Sequence, residues 1–286
     1  MKPVYLVDAS PYLFANWFKV PRTIVDADGK PVNAVYGFAY FMLKLLADHD
    51  PTHVAVAFDR HFNGSFRNEY YPDYKAHREA SPPELDAQVD PCLDVVEALG
   101  ITTFIDERYE ADDLIATVID QVRASYVIVT TDKDLTQLVT DRVSIMNKDQ
   151  RFDAAGVHEK FGVRPDQITD YLALTGDAVD NIPGVRGIGP KTAAELLRRF
   201  GSLEGIYRNI DTLRRGPRAD ISVAAKLEAD VSNAGLSKRL ATVATDAPIK
   251  TTLDALRYRG ADESRVRPLF ERLGFKTLLE RVTSRG

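Results

Sequence analysis

Cysteine is almost absent from this chain. Its single thiol, Cys92, rules out an intramolecular disulfide and a multi-cysteine zinc site. No apolar stretch approaches the roughly 20 residues needed to cross a bilayer. The amino terminus, MKPVYLVDAS, enters a strand at once and has none of the organisation of a signal peptide. The five histidines lack metal-ligand spacing, so His61 and His77 are assigned to the surface. No Gly-Lys-Ser or Gly-Lys-Thr follows the glycine-rich segment, which excludes a Walker loop, and that segment does not follow a strand as a dinucleotide fingerprint must. Internal repeats and low-complexity tracts are missing too. With 44% apolar and 28% charged residues among 286, the chain can bury a large core, and the cytoplasm is its default compartment.

Acid at strand ends is what the sequence has in quantity. VYLVD ends at Asp8 and HVAVAFD at Asp59. ITTFIDERYEADD reaches Glu110, Asp112 and Asp113, and YVIVTTDKD reaches Asp132 and Asp134. Short β-branched runs without helical period read as buried strands of a parallel sheet. In open α/β sheets the chemistry lies beyond the carboxyl ends of the strands. Seven carboxylates at one sheet edge need cations, and hard oxygen donors imply Mg²⁺ or Mn²⁺.

Residues 1 to about 164 alternate strand and helix, with strands near 4–7, 53–58, 101–106, 126–131 and 143–147. Helical faces run through 34–47 (Val35, Phe38, Ala39, Met42, Leu45, Leu46) and 111–122 (Ile115, Val118, Ile119, Val122). This pattern predicts an α/β fold with a central, mainly parallel sheet flanked by helices. From 165 to 286 no convincing strand is seen, and short helices broken by Gly, Pro and Ser take over. Residues 60–90 form a polar, aromatic-rich insertion in which Pro72 predicts two short helices or one broken helix. At a carboxyl edge, such an insertion suits a lid or substrate guide.

Phosphodiester cleavage suits two divalent ions, one lowering the pKa of an attacking water and one stabilising the leaving oxygen. The bland alternative makes these acids helix caps. Capping accounts for one or two of Glu110, Asp112 and Asp113, not three, although it stays open for Asp8 or Asp134 taken singly. Asp106 and Glu107 are left as surface charge.

LTGDAVDNIPGVRGIGPKTAAELLRRFGS adds Asp177 and Asp180, then glycines 184, 187 and 189, then a helix opening at Pro190. Amides of such a turn beside a helix amino terminus form a phosphate cradle. Eight cations lie between 184 and 218 against three acids: Arg186, Lys191, Arg198, Arg199, Arg208, Arg214, Arg215 and Arg218. They form a stripe suited to a duplex backbone without base readout. The alternative is a helix–turn–helix corner whose glycines only permit close packing.

In the insertion, Arg60, Arg67, Lys75 and Arg78 are interleaved with Phe62, Phe66, Tyr70, Tyr71 and Tyr74, a pattern suited to single-stranded nucleic acid. A helical YKAHR would set Lys75 and Arg78 on one face, where either could stabilise charge on a scissile phosphate. Phe66 and Tyr70 or Tyr71 are expected to pack underneath, leaving Arg67, Tyr74, Lys75 and Arg78 for function. The alternative is a solvated amphipathic helix.

Together these residues resemble the 5′→3′ exonuclease and flap endonuclease family, the family of the 5′-nuclease domain of bacterial DNA polymerase I. LVDASPYLF, AVAFD, SFRNEYYPDYKAHR, YEADDLIA, TTDKDLTQLV and GDAVDNIPGVRGIGPKTA occur in family order over nearly the whole chain. The resemblance implies a PIN-like or resolvase-like core (1–164) with a helical arch at about 60–90, then a helical domain (165–286) with a helix-hairpin-helix-like DNA-binding motif at about 176–201. It implies one metal at Asp8, Asp59, Glu110 and Asp112 with Asp113 adjoining, and another at Asp132, Asp134, Asp177 and Asp180. Lys75 and Arg78 would lie in the arch as catalytic cations, with Tyr74 on a displaced nucleotide and Arg67 on phosphate. The hairpin (Arg186, Gly187, Gly189, Lys191, Thr192) and Arg198 and Arg199 would hold duplex, with a K⁺ at backbone carbonyls. Val179 and Arg108 depart from the family pattern, and neither is a proposed ligand.

The implied activity is structure-selective DNA 5′ nuclease action on flaps, branches or RNA primers in replication and repair, with two Mg²⁺ or Mn²⁺ ions. A monomer in the cytoplasm, associated with the nucleoid and not with membrane, is expected. Met1 directly before the first strand argues for a free-standing chain. A PIN-like ribonuclease would not need the glycine hairpin or the insertion, and a non-catalytic DNA-structure-binding protein would lack ligands that are present here. The net charge of -5 is no obstacle, because setting the nine suspected ligands aside leaves 33 acids against 37 bases.

Overall fold

The computed structural model describes residues 2–62, 64–148 and 150–283. In chain order the first elements are β1 (Val4–Asp8), α1 (Ser10–Lys19), α2 (Asn33–His49), β2 (Val54–Asp59), α3 (Pro83–Asp86), α4 (Val89–Ala98), β3 (Thr102–Asp106), α5 (Ala111–Gln121) and β4 (Tyr126–Val129). Then come β5 (Val143–Asn147), β6 (Gln150–Phe152), α6 (Ala154–Phe161), α7 (Ile168–Thr175), α8 (Pro190–Phe200), α9 (Leu203–Arg208) and α10 (Ile210–Arg214). Last are α11 (Arg218–Ala229), α12 (Val231–Ala241), α13 (Glu263–Arg272) and α14 (Lys276–Thr283). No helix among the described residues is long and apolar enough to cross a membrane.

The chain divides into two compact units that are not contiguous in sequence. One takes Met1–Phe62, Ala80–Thr131 and Ala244–Gly286, and the other takes Asn63–Glu79 and Asp132–Val243. The change from strand-rich to helix-rich sequence near 164 is one of composition, whereas compactness gathers residues 132–243 together.

The first unit is built on parallel strands in the order β3-β2-β1-β4. Every residue of β1 and β4 is buried, and β2 is buried up to Asp59. This is why VYLVD, VAVAFD and YVIV show no polar alternation. Edge strand β3 is only half-buried, and it carries Thr102 and Thr103 accordingly. On α2 the predicted face of Val35, Phe38, Ala39, Met42, Leu45 and Leu46 is buried, with Phe38 edge-on to Phe58 of β2 at 5.7 Å. Helix α5 packs on β1, β2 and β3. Cys92 is buried in α4, where desolvation raises its thiol pKa.

In the second unit β5 and β6 pair antiparallel, Ile145 opposite Phe152. Strand β6 escaped the sequence reading because Gln-Arg-Phe is short and largely exposed. Helices α7 and α12 pack together, and α7 also meets α8 and α9. Lys238 of α12 joins this group, its Nζ lying 2.7 Å from both Asp170 of α7 and Glu204 of α9. Asp170 is buried, so its pairing outweighs any surface pair: losing one partner of a buried pair costs about 3–5 kcal/mol, against about 0–1 kcal/mol at a surface.

The helical arch is corrected. Among the described residues, the insertion at about 60–90 holds a 3₁₀ turn, Phe66–Glu69, then turns, then the four-residue α3, so short separate helices stand where Pro72 implied them and no helix spans 70–82. Lys75 has φ +56°, in the left-handed region, so YKAHR is not helical, and Pro72 keeps the preceding 3₁₀ turn from running on through it.

The hairpin between α7 and α8 holds glycines 176, 184 and 187 at positive φ, and at the first two another backbone also presses close. Gly176 has φ +70° and Gly184 has φ +63°, and a Cβ on Gly184 would stand 2.3 Å from the backbone nitrogen of Gly176. Gly184→Ala adds left-handed strain to a backbone collision. It should destabilise the protein by about 2–4 kcal/mol, measured as a lowered urea midpoint. Gly189→Ala, whose Cβ would meet nothing within 4 Å, should leave the midpoint nearly unchanged.

Candidate active site

The acids form two groups, one in each unit. In the first unit Asp8 ends β1, is 3% exposed, and accepts a 2.7 Å bond from Thr130 Oγ1 at the end of β4. Asp59 ends β2, and its Oδ1 accepts the Ala111 N–H at 2.7 Å, fixing it to the start of α5. Glu110 is the residue before α5 and is buried, and Asp112 lies in the first turn. The helix dipole favours both carboxylates there. Asp106 is more than surface charge: it accepts the N–H groups of Arg108 and Tyr109 at 2.8 and 3.1 Å, shaping the turn into Glu110.

Asp113, expected to adjoin the first metal, carries backbone bonds on both of its oxygens. It is fully buried, Oδ2 accepts the Glu110 N–H at 3.2 Å, and Oδ1 accepts the Ala244 N–H at 2.7 Å. Its own carbonyl accepts Thr117 Oγ1 at 2.7 Å, and Thr117 Oγ1 accepts the Ala247 N–H at 3.1 Å. Its carboxylate thus holds the returning chain at residue 244.

In the second unit Asp132 and Asp134 flank a turn in which the Asp134 N–H donates to Asp132 Oδ1 at 2.8 Å. Burial and then the charge of Asp132 push Asp134 up to about 7, with Asp177 and Asp180 adding to the rise. Lys133 lies 3.1 Å from Asp134 Oδ1 and pulls the other way, but burial is the larger effect. Lys133 also donates to Asp177 Oδ2. Asp177 Oδ1 accepts the Val179 N–H at 2.7 Å.

The insertion meets the turn carrying Asp177 and Asp180. Tyr74 Oη donates to Asp180 Oδ2 at 3.2 Å, and the Lys75 N–H donates to the Asp180 carbonyl at 3.0 Å. Lys75 Nζ is 3.9 Å from Asp180 Oδ2, and Arg78 pairs with Asp180 Oδ1 and donates Nε to the Val179 carbonyl at 3.2 Å. Lys75 and Arg78 are therefore brought to an acid, as a polar guide would be.

Arg67 and Tyr74 contradict the surface roles expected of them. Each is 3% exposed. Arg67 donates Nε to Leu240 O at 2.9 Å and Nη2 to Thr242 O at 3.0 Å, and its guanidinium lies 4.7 Å from the Phe66 ring. It ties the insertion to the end of α12. Phe66, Tyr70 and Tyr71, expected underneath, are half-buried instead, and Arg239 stacks on Tyr70 at 3.7 Å.

At the hairpin the two readings divide between glycines. Gly184 serves packing: its amide donates to buried Ser237 Oγ at 2.9 Å. Gly187 and Gly189 have amides without a hydrogen-bond partner among the described residues, next to the start of α8. Arg186, Lys191 and Arg198 are exposed and carry no ion pair among the described residues, and Thr192 is half-buried. Arg199 is different, with its two terminal nitrogens 3.1 and 2.8 Å from Asp220. Arg214 is likewise held by Asp211 and Glu228.

Sequence reasoning missed Lys133, Thr130, Ser237 and two residues beside the hairpin. Asp230 accepts the Arg186 N–H at 2.8 Å, and Lys226 donates to the Gly187 carbonyl at 3.0 Å. Lys133 was open to view as the middle residue of Asp-Lys-Asp. Thr130 likewise stood in the same TTDKD run, whereas Ser237, Lys226 and Asp230 come from α11, α12 and the turn between them, with no local signal.

The donors in both groups are carboxylate oxygens, which fit hard divalent cations by chemistry. Among the described residues, no three His, Cys, Asp or Glu side chains stand as a ready-formed metal cage. The chain's own donors and cations hold these oxygens instead: Thr130, the Ala111 amide, Lys133 and Arg78. At the hairpin, where a K⁺ was expected on backbone carbonyls, the Gly187 carbonyl is bonded by the Lys226 ammonium at 3.0 Å.

A parallel sheet with acids at its strand ends, joined in sequence to a glycine hairpin between helices, is an arrangement suited to phosphodiester chemistry. The family models agree over almost the whole chain. Residues 3–162 match the 5′-3′ exonuclease N-terminal resolvase-like domain, and 163–264 match the 5′-3′ exonuclease C-terminal SAM fold. The chain belongs to the 5′-3′ exonuclease family. It is 39% identical over 290 residues to DNA polymerase I of Bacillus subtilis, covering 98% of this chain and 32% of that protein. DNA polymerase I of Bacillus caldotenax is 37% identical, with 99% and 32% covered. The chain thus spans about a third of the length of these curated relatives. Among solved structures, the phage T5 D15 protein co-crystallised with metal ions superposes with a TM-score of 0.70 at 19% identity, covering 99% of this chain and 98% of that one. The catalytic core of Rad2 in complex with DNA gives a TM-score of 0.63 at 16% identity, covering 99% and 91%. At those identities the likeness is one of fold.

Two outcomes follow from this geometry. Asp113→Ala strands two backbone N–H groups and should cost about 2–4 kcal/mol of stability. Asp112→Asn, on a half-buried carboxylate, should change it by less than about 0.5 kcal/mol. Urea titration compares the two. The raised Asp134 means that, from about 7 down to the ordinary carboxylate range, the folded chain holds a proton the unfolded chain has released. In EDTA the thermal midpoint should therefore gain a stabilising contribution as pH falls through 7, and Asp134→Asn should remove it.

Proposed function

We propose that this chain is a structure-selective 5′ nuclease that hydrolyses phosphodiester bonds in 5′-flap and branched DNA, RNA-primed strands included. Two Mg²⁺ (or Mn²⁺) ions are its working cofactors. Its organisation is a nuclease core, 1–164, with the insertion at about 60–90, followed by a helical part, 165–286, with the DNA-holding hairpin at 176–201. It acts as a monomer in the cytoplasm, at the nucleoid, in replication and repair. The observation that carries this reading is the placement, in one unit, of a buried acid group and of a glycine hairpin whose amides at 187 and 189 and exposed cations have no partner among the described residues.

Asp8, Asp59, Glu110 and Asp112 would hold one ion, and Asp132, Asp134, Asp177 and Asp180 the other. When bound, the ions supply a deprotonated water and charge stabilisation at the leaving oxygen. Asp113 is a positioning residue, fixing Glu110 and the start of α5 through the bonds described above. Lys75 and Arg78, held at Asp180, are cations within reach of any phosphate drawn to that acid group. The amides of Gly187 and Gly189, with Arg186, Lys191, Thr192 and Arg198, would carry duplex phosphates, and because none reads a base edge, binding is indifferent to sequence. Arg199, occupied by Asp220, contributes less. Arg67 and Tyr74 support the insertion from below rather than touching nucleic acid.

A 5′-labelled flap incubated with and without Mg²⁺, read for product length, tests the activity. Short products should appear only with the metal. Asp112→Asn and Asp132→Asn should each lower turnover by about 100-fold or more while flap binding persists. Full turnover by either variant would remove that ligand. Arg198→Ala should weaken binding to all duplexes alike and reduce the log–log salt slope by about 1, and Arg199→Ala by less.

A further inference from the structure

The acid group of the second unit comes with cations of its own. Lys133 Nζ lies 3.1 Å from Asp134 Oδ1 and is bonded to Asp177 Oδ2, so one ammonium bridges two of the four carboxylates. Arg78 pairs with Asp180 Oδ1, and Lys75 Nζ is 3.9 Å from the other oxygen of the same side chain. Three protein cations thus face Asp134, Asp177 and Asp180. The point between Asp134 and Asp177 is also where a divalent ion shared by those two acids would have to lie.

An ammonium and a divalent cation cannot occupy that point together, because like charges repel strongly at such range. Lysine is suited to giving it up. Its charge rides on a flexible four-carbon stem, and its ammonium is readily hydrated, unlike a forked guanidinium that grips a carboxylate at two points. The side chain of Lys133 is 42% exposed, while that of Asp177 is 5% exposed, so the lysine can swing out while the acid stays. The sequence enforces the arrangement: the residue sits between the two acids of Asp-Lys-Asp, where the turn made by Asp132 and the Asp134 N–H aims it back at the cluster.

We infer that Lys133 is an internal counter-ion that the divalent cation of this acid group must displace, so that metal binding here is an exchange of one cation for another. The inference rests on the proposed reading of Asp132, Asp134, Asp177 and Asp180 as metal ligands. Without metal, the lysine keeps buried like charges from forcing the turn apart. With metal, it is released to solvent, where it adds positive charge beside the site. Affinity for this ion is then lower than four carboxylates alone would give, and binding depends on the lysine's freedom to leave.

The test titrates the full chain and its Lys133→Met variant with Mn²⁺, reading free ion by electron paramagnetic resonance. The wild type should bind two ions, one more weakly. In the variant the weaker site should tighten by about tenfold, a shift of about 1.4 kcal/mol. The metal-free variant should also unfold at lower temperature than metal-free wild type, with Mn²⁺ closing that gap. An unchanged or weakened site in a folded variant would overturn the inference. Failure of the wild type to bind a second Mn²⁺ would instead overturn the metal-site reading beneath it. A measurement on the wild type alone serves if the variant does not fold: the rate of Lys133 acylation, followed by mass spectrometry, should rise several-fold on adding Mn²⁺. A rate indifferent to Mn²⁺ would mean the lysine never leaves.

Discussion

Repulsion between carboxylates in a low-dielectric setting is the constraint around which this molecule is arranged. A buried acid is costly to ionise, and several together are costlier still. Each group answers the problem with local means. Asp8 takes a hydroxyl from Thr130, Asp59 takes an amide from the start of α5, and Glu110 sits at the positive end of that helix. In the second unit the answer is ionic: Lys133 serves two acids, and Arg78 and Lys75 serve Asp180. Asp134 is the measure of how incomplete that neutralisation is, since burial and its neighbours still keep it protonated up to about 7.

The same economy explains the insertion. Its cations were read as ligands for nucleic acid, and its aromatics as a stacking platform. Arg67 is buried among carbonyls at the end of α12, and Tyr74 is buried with its hydroxyl on Asp180. These two residues fasten the segment so that Lys75 and Arg78 are held at the acid turn. Lys75 reaches that position through a left-handed backbone, which a helix could not have supplied. The hairpin divides its labour in a similar way. Gly184 is small because another backbone presses against it, whereas Gly187 and Gly189 leave amides open next to exposed arginine and lysine.

Strands were legible because burial on both faces demands unbroken apolar runs, and β1, β2 and β4 are of that kind. Helix α2 was legible through one periodic face. Strand β6 was not, being three polar or half-exposed residues whose pairing with β5 supplies what their sequence does not. The candidate ligands were visible because acids at the ends of apolar runs stand out. Asp113 looked identical to its neighbours and does something else, since its role depends on the Ala244 amide, 131 residues away. Arg199 looked identical to Arg198 until Asp220 was found beside it.

Residue order alone determined which segments became the buried strands β1, β2 and β4, where acids would collect along them, and that a glycine-rich turn would precede a basic helix. These are local consequences of apolar periodicity, turn chemistry and backbone freedom. Tertiary structure alone decided which charges are spent inside the protein and which remain available outside it. The reason is physical: a carboxylate or guanidinium is defined by the donors, acceptors and dielectric that surround it, and residues far apart in the chain supply those surroundings.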